Sequence, residues 1–194
     1  AGISQVNMID GYTRFESMVI EQITEILGKS NISLSDSDTQ LIISTTKGNV
    51  ELLANDCYNI TERTFLYSSA EVIAEHFHSC NKPIVISNAC ISGVSAFIVA
   101  REMLLSQKVR HVVIVGCDTL CEFITSGFAS FKSISPNPCK PYDAERDGLN
   151  LGEACGAVVL SVDECKAEAP IVRMAGGAIS NDANHISGPS RTGD

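Results

Sequence analysis

The chain has 194 residues, 44% of them hydrophobic and 19% charged, with a formal net charge of −9. That length and apolar content suit one well-buried domain and exclude a disordered or fibrous chain. An acidic chain without long basic runs is poorly suited to binding nucleic-acid phosphates or anionic membrane surfaces, and no apolar run reaches the roughly 18–20 residues of a membrane helix.

Residues 13 to 27 (TRFESMVIEQITEIL) place Phe15, Met18, Val19, Ile23, Ile26 and Leu27 at helical spacing, with Gly28 as a stop. After the polar stretch SNISLSDSD, Leu41, Ile42 and Ile43 form a short buried strand that ends in a loop around Gly48. Residues 67 to 80 read as a helix and 84 to 88 (IVISN) as a second buried strand. Residues 92 to 107 read as an amphipathic helix carrying Val94, Phe97, Ile98, Ala100, Leu104 and Leu105. His111 to Cys117 and Gly156 to Val162 complete the strands, while 127 to 153 is rich in Gly, Pro, Asn and Ser and reads as a long functional loop. Continuous apolar strands alternating with helices predict an α/β fold with a parallel or mixed sheet covered on both faces.

Eight cysteines without a basic-then-apolar leader predict reduced thiols in a cytoplasmic protein, most of them small buried hydrophobes. The chain begins at Ala1 rather than Met, as a processed end or a piece of a longer protein would. Cys90 stands apart. In IVISNACISGVSA a buried strand runs into Asn88-Ala89-Cys90, and a Ser92-Gly93 step opens a helix, the pattern of a nucleophile elbow. A helix N-terminus offers unpaired amides and partial positive charge, which favour a negatively charged sulfur and can stabilise an oxyanion. The elbow alone leaves two readings equally open: a nucleophile, or one more buried thiol at a strand end. His76-x-His78-x-Cys80 and Cys117-x-x-x-Cys121 do not match metal-ligand spacing, so no metal site is expected.

Four blocks carry a family resemblance. They are SNACISGVSAFIVAREML around Cys90, a Gly127-Phe128 segment leading to Ser133-Ile134-Ser135, the run PYDAERDGLNLGEACGAVVL from Pro141, and Ser180-Asn181-Asp182-Ala183-x-His185-x-Ser187. Together they resemble the β-ketoacyl-acyl carrier protein synthases, over most of residues 36 to 190. The resemblance implies a thiolase-like fold of two related βαβαβ halves, of which residues 1–194 hold the N-terminal ketosynthase part without its first strand or the C-terminal half. It also implies an acyltransferase that performs decarboxylative Claisen condensation through an acyl-Cys90 intermediate, in fatty acid or polyketide-type synthesis. No resident cofactor is implied, because phosphopantetheine arrives on the carrier protein. The implied partners are an acyl carrier protein and a second subunit, as a homodimer or heterodimer, with no nucleic acid or membrane.

By the same resemblance, Asp143, Arg146, Asp147 and Glu153 form a structural network bracing the active-site loops. His185 and Ser187 lie near the substrate entrance. The family's catalytic His-Gly-Thr and Gly-His motifs do not occur in this sequence, so the chain alone is expected not to complete the condensation. Cys155 stands where the family commonly has glycine or alanine, a packing substitution. Two other readings compete: a non-catalytic chain-length partner, which retention of Cys90 argues against, and a thiolase-type enzyme acting on coenzyme A thioesters.

Overall fold

The computed structural model describes residues 6–55, 60–163 and 171–180. Helix α1 (Arg14–Gly28) starts at a capping box in which the Glu16 N–H donates to the Thr13 hydroxyl at 3.2 Å and the Thr13 N–H donates to Glu16 Oε2 at 2.9 Å. Strand β1 (Thr39–Ser44) follows and is buried at all six positions. A short helix α2 (Leu52–Asn55) and a 3-10 turn at Glu62–Thr64 lead into α3 (Leu66–His76). Then come β2 (Ile84–Ile86), α4 (Ser92–Leu105), β3 (His111–Asp118), α5 (Glu122–Ser130) and β4 (Ala154–Ser161).

The strands form one four-stranded sheet in the order β2-β1-β3-β4. β1 runs parallel to β2, with Ile42 opposite Ile84, and parallel to β3, with Thr39 opposite His111 and Ser44 opposite Gly116. β4 returns antiparallel to β3, with His111 opposite Ser161 and Asp118 opposite Ala154. The predicted mixed sheet is therefore present, and the alternation of side chains along a strand explains how it is covered. Leu41, Ile43, Val113 and Val115 meet α1 and α3 on one face, through Phe15, Val19, Ile23, Ala70 and Ile73. Ile42, Val112 and Ile114 meet α4 on the other, through Ala96, Ala100 and Leu104. Both faces are covered, so the centre of β1, Leu41-Ile42-Ile43, reads as a continuous apolar run.

Several expectations about elements change. The helix read from 67 to 80 ends at His76, because His78 takes a left-handed φ of 50°. The segment read as a loop from 127 contains the second half of α5. β2 stops at Ile86 and is only half-buried, as suits an outer strand. On α4 the buried stripe is Ser92, Ser95, Ala96, Ala100 and Leu104, whereas Val94 and Leu105 are 62% and 60% exposed. Small side chains make up most of the buried stripe, with Leu104 buried beside them and Phe97, Val99 and Met103 packed against its edge. The cysteines also differ from expectation. All six described cysteines are free thiols, but only Cys117 is buried, while Cys80 and Cys90 are exposed.

Candidate active site

β2 delivers the chain to Asn88, Ala89 and Cys90, and α4 begins two residues later. The turn between them is tight. Ala89 has φ 45°, a left-handed conformation that costs a non-glycine residue about 1–3 kcal/mol unless its surroundings hold it. The holding group is Ser92. Its buried hydroxyl accepts the Asn88 N–H at 2.8 Å and donates to the Ala89 carbonyl at 2.6 Å. The Ile91 and Ser92 amides close the turn onto the Asn88 and Ala89 carbonyls at 3.1 and 3.2 Å. The Asn88 side chain donates to Ser95 Oγ at 3.2 Å, which ties the elbow to the next turn of α4.

Cys90 is exposed at the crest of this turn. Among the described residues, the amides of Gly93 and Val94, in the first turn of α4, have no hydrogen-bond acceptor. An exposed thiol beside a set of undirected amides is the local equipment for attack on a carbonyl and for stabilising the resulting oxyanion.

The ends of the neighbouring strands are stitched to each other by residues that sequence reasoning missed. Asp118, the last residue of β3, accepts from Thr45 Oγ1 at 2.8 Å, the Thr46 N–H at 3.1 Å and Thr46 Oγ1 at 3.0 Å, with Lys47 Nζ at 3.6 Å. The Thr45 N–H in turn donates to the Ile86 carbonyl at 3.2 Å, at the end of β2. One carboxylate thus fixes the ends of the three parallel strands on the edge that carries the elbow. The only sequence trace is polar residues directly after apolar runs, in IISTTK and VVIVGCD.

The second and third blocks meet in space. Ser135 N–H donates to the Leu149 carbonyl at 2.9 Å, and Leu149 N–H to the Ser133 carbonyl at 2.8 Å. Ser135 Oγ donates to Asp147 Oδ1 at 2.7 Å, and this hydrogen bond holds the Asp147 carboxyl below its usual range. Gly148, at φ 144°, is required here, because a Cβ would lie 2.7 Å from the Ser135 nitrogen and 2.8 Å from the Ser133 oxygen.

Asp143, Arg146, Asp147 and Glu153 do not form one network among the described residues. Asp143, Arg146 and Asp147 are exposed, and Arg146 donates to the Asp143 carbonyl at 2.9 Å. Glu153 is buried elsewhere, paired with Arg14 and accepting the Leu120 N–H at 3.1 Å. The reason is position. Residues 141–147 lie on an open loop, while Glu153 sits at the foot of β4 against the start of α1. His185 and Ser187 lie outside the described residues. His76 faces the Tyr12 hydroxyl at 2.9 Å, and His111 faces Ser161 Oγ at 2.9 Å from the start of β3, the opposite end of the strands from Cys90.

This fold has counterparts of one class. A β-ketoacyl synthase from Burkholderia phymatum STM815 superposes with a TM-score of 0.64 at 20% identity, covering 77% of this chain and 42% of that one. A ketosynthase from module 6 of the bacillaene synthase of Bacillus subtilis 168 does so with a TM-score of 0.66 at 14% identity, covering 77% and 26%. At these identities the likeness is one of fold, and that fold is thiolase-like. The sequence narrows the class further: residues 4–164 match the N-terminal domain of the β-ketoacyl synthases, and the chain belongs to that family. The 3-oxoacyl-[acyl-carrier-protein] synthase 2 of Rhizobium meliloti (strain 1021) is 32% identical over 120 residues, 56% of this chain and 28% of its own. A polyketide biosynthesis malonyl-ACP decarboxylase, PksF of Bacillus subtilis (strain 168), is 27% identical over 135 residues, 63% of this chain and 32% of its own. The matched stretch is therefore about a third of the length of these curated relatives.

Proposed function

We propose that this chain is the acyl-accepting part of a β-ketoacyl synthase and that Cys90 carries the acyl group as a thioester. The observation that carries the proposal is the elbow itself: an exposed thiol on a left-handed turn, held by Ser92, at the open N-terminus of α4. The Cys90 thiolate attacks the carbonyl of an acyl thioester, and the thiol of the carrier leaves. A malonyl thioester then loses carbon dioxide, and the enolate left behind attacks the acyl-Cys90 carbonyl. The Cys90 thiolate is expelled and a β-ketoacyl thioester is released. In the first and last steps the developing oxyanion is met by the Cys90 amide.

The pantetheine arm belongs to the substrate and arrives on an acyl carrier protein, so no resident cofactor enters this scheme. A second subunit completes the enzyme; one structural relative is a ketosynthase from Xenorhabdus doucetiae in complex with its chain length factor. The exposed thiol favours the catalytic role for this chain over the chain-length role. The bases for decarboxylation are those of the His-Gly-Thr and Gly-His motifs, which this sequence lacks, while His76 and His111 face Tyr12 and Ser161.

Incubating the 194-residue chain with an acyl-acyl carrier protein and measuring intact mass tests the assignment. One acyl group is expected, mapped to the Cys90 peptide and lost in Cys90→Ala. Acylation that persists in that variant, or that falls equally on the exposed Cys80, would sink it. With malonyl-acyl carrier protein added, no β-ketoacyl product is expected from the chain by itself; its formation would overturn the reading that the chain is only part of the enzyme.

A further inference from the structure

Two thiols that the acyl-transfer chemistry does not use face one another across the sheet. Cys117 of β3 is directly opposite Cys155 of β4 in the antiparallel register. The kind of pair they form can be read from the ladder. The Val162 N–H donates to the Arg110 carbonyl at 3.1 Å, which makes Arg110 and Val162 a hydrogen-bonded pair in the continuation of that register. Hydrogen-bonded and non-hydrogen-bonded pairs alternate, so every odd-numbered residue of β3, Cys117 included, occupies a non-hydrogen-bonded pair.

Such pairs bring Cα atoms to about 4.5 Å and their side chains closest together. That separation lies inside the roughly 4.4–6.8 Å window over which a disulfide spans two Cα atoms. A sister pair shows the closeness directly: His111 and Ser161, also opposite, touch through their side chains at 2.9 Å. Cys155 likewise packs against the core cluster that holds Cys117.

We infer that Cys117 and Cys155 are a modification site, a dithiol that closes into a reversible cross-strand disulfide when the protein meets a small-molecule disulfide such as oxidised glutathione. Cys155 is the point of entry. It is half-buried, whereas Cys117 is only 4% exposed. Hydrogen bonding to Cys155, burial and the nearby Asp118 and Glu153 carboxylates also push the Cys117 thiol far above the ordinary thiol range, which suits a second, resolving role. The Cys155 thiolate attacks one sulfur of the oxidant, and one glutathione thiolate leaves. Cys117 then gives up its proton and attacks the Cys155 sulfur of the mixed disulfide, and the second glutathione thiolate leaves. Two protein thiols are oxidised by two electrons, and one glutathione disulfide is reduced to two glutathiones. The new bond ties the start of β4 to β3 one residue before Asp118, the carboxylate that clamps the β1 end.

The test is to equilibrate the full chain with oxidised glutathione, alkylate it under denaturing conditions and count adducts against untreated protein. Two fewer adducts are expected, with a mass 2 Da below that of two free thiols before alkylation, a non-reduced peptide joining Cys117 to Cys155, and full recovery with dithiothreitol. Cys155→Ala should retain the remaining adducts under the same treatment. Joining of other cysteines, a glutathione adduct left on Cys155 without ring closure, or full alkylation of both residues would each overturn the proposal. The wild-type peptide map decides the matter even where the variant folds poorly. Loss of acyl transfer to Cys90 has no bearing on the result.

Discussion

Ser92 shapes the elbow through one hydroxyl that both accepts from Asn88 and donates to the Ala89 carbonyl. Removing it breaks two part-buried hydrogen bonds and withdraws the restraint on the left-handed Ala89, so Ser92→Ala should cost about 1–3 kcal/mol, roughly 0.5–1.5 for each bond. It should also slow acylation of Cys90 while leaving the thiol present and titratable. Denaturant unfolding and time-resolved acylation measure the two effects separately, and an unchanged acylation rate would show that Ser92 does not set the nucleophile's geometry. Gly148 is the other position where backbone decides. With φ 144° and a Cβ site 2.7 Å from the Ser135 nitrogen, Gly148→Ala must break the pairing of Ser133 and Ser135 with Leu149, at about 1–3 kcal/mol or more. The weight of Cys90 was legible in sequence because a strand, small residues and a helix follow one another there. The strain at Ala89 was not, since alanine is no signal for a left-handed turn. Asp118 was not either, because its partners Thr45 and Thr46 belong to a different strand.

At the scale of elements, the start of α1 is joined to the foot of β4 by charge. Arg14, the first residue of α1, pairs with the buried Glu153, and Glu51 sits beside them. Glu153 is buried while Arg14 keeps 30% of its side chain exposed to water, so Glu153→Ala is expected to lose about 1–3 kcal/mol. Glu51 acts in the opposite sense. Burial is the largest influence on it and raises its pKa, outweighing Arg14, which lowers it, while Glu153 adds to the rise. A carboxyl whose pKa rises on folding holds a proton that the unfolded chain has already released. The folded state therefore loses stability as pH climbs from the ordinary carboxylate value through the raised one, and the full penalty persists above it. Glu51→Gln should accordingly melt higher than the parent at neutral pH, with the gap closing as the solution is acidified through the carboxylate range. Paired melting curves against pH check this, and a gap that widens on acidification would contradict it. Helix α1 was readable to within a residue because its apolar spacing and its capping box agree. Helix α4 was located correctly, and Phe97, Ala100 and Leu104 of its predicted stripe do face the sheet, but Val94 and Leu105 do not, their places being taken by Ser92, Ser95 and Ala96. The second half of α5 was lost in a Gly- and Ser-containing stretch, where tertiary placement overrides weak local preference.

The molecule as a whole keeps its two cores on the faces of the sheet and leaves apolar side chains uncovered at the start of α4 and beyond β3. Ile91 and Val94 at the start of α4 are 45% and 62% exposed, and Phe123, Phe131 and Leu149 beyond β3 are 60%, 75% and 50% exposed. Scattered exposed apolar residues are ordinary, but several large ones on the segments that follow the C-terminal ends of β2 and β3 are the material of a contact surface. The matched stretch is also about a third of the length of the curated relatives, so such surface is expected on this portion of the fold. β2 and β4 additionally end the sheet with unpaired outer edges among the described residues. Both features favour association of the 194-residue chain with itself at micromolar concentration, together with binding of an environment-sensitive dye to its surface. Hydrophobic burial predicts which substitutions separate association from folding. Val94→Lys with Phe131→Ser removes exposed apolar area and touches neither core, so the melting temperature should move little, on the scale of ±0.5 kcal/mol per surface substitution. Light scattering should then show a smaller species and the dye signal should fall. If the double variant instead melts far lower at unchanged size, these side chains serve folding rather than contact, and this open surface is not an interface.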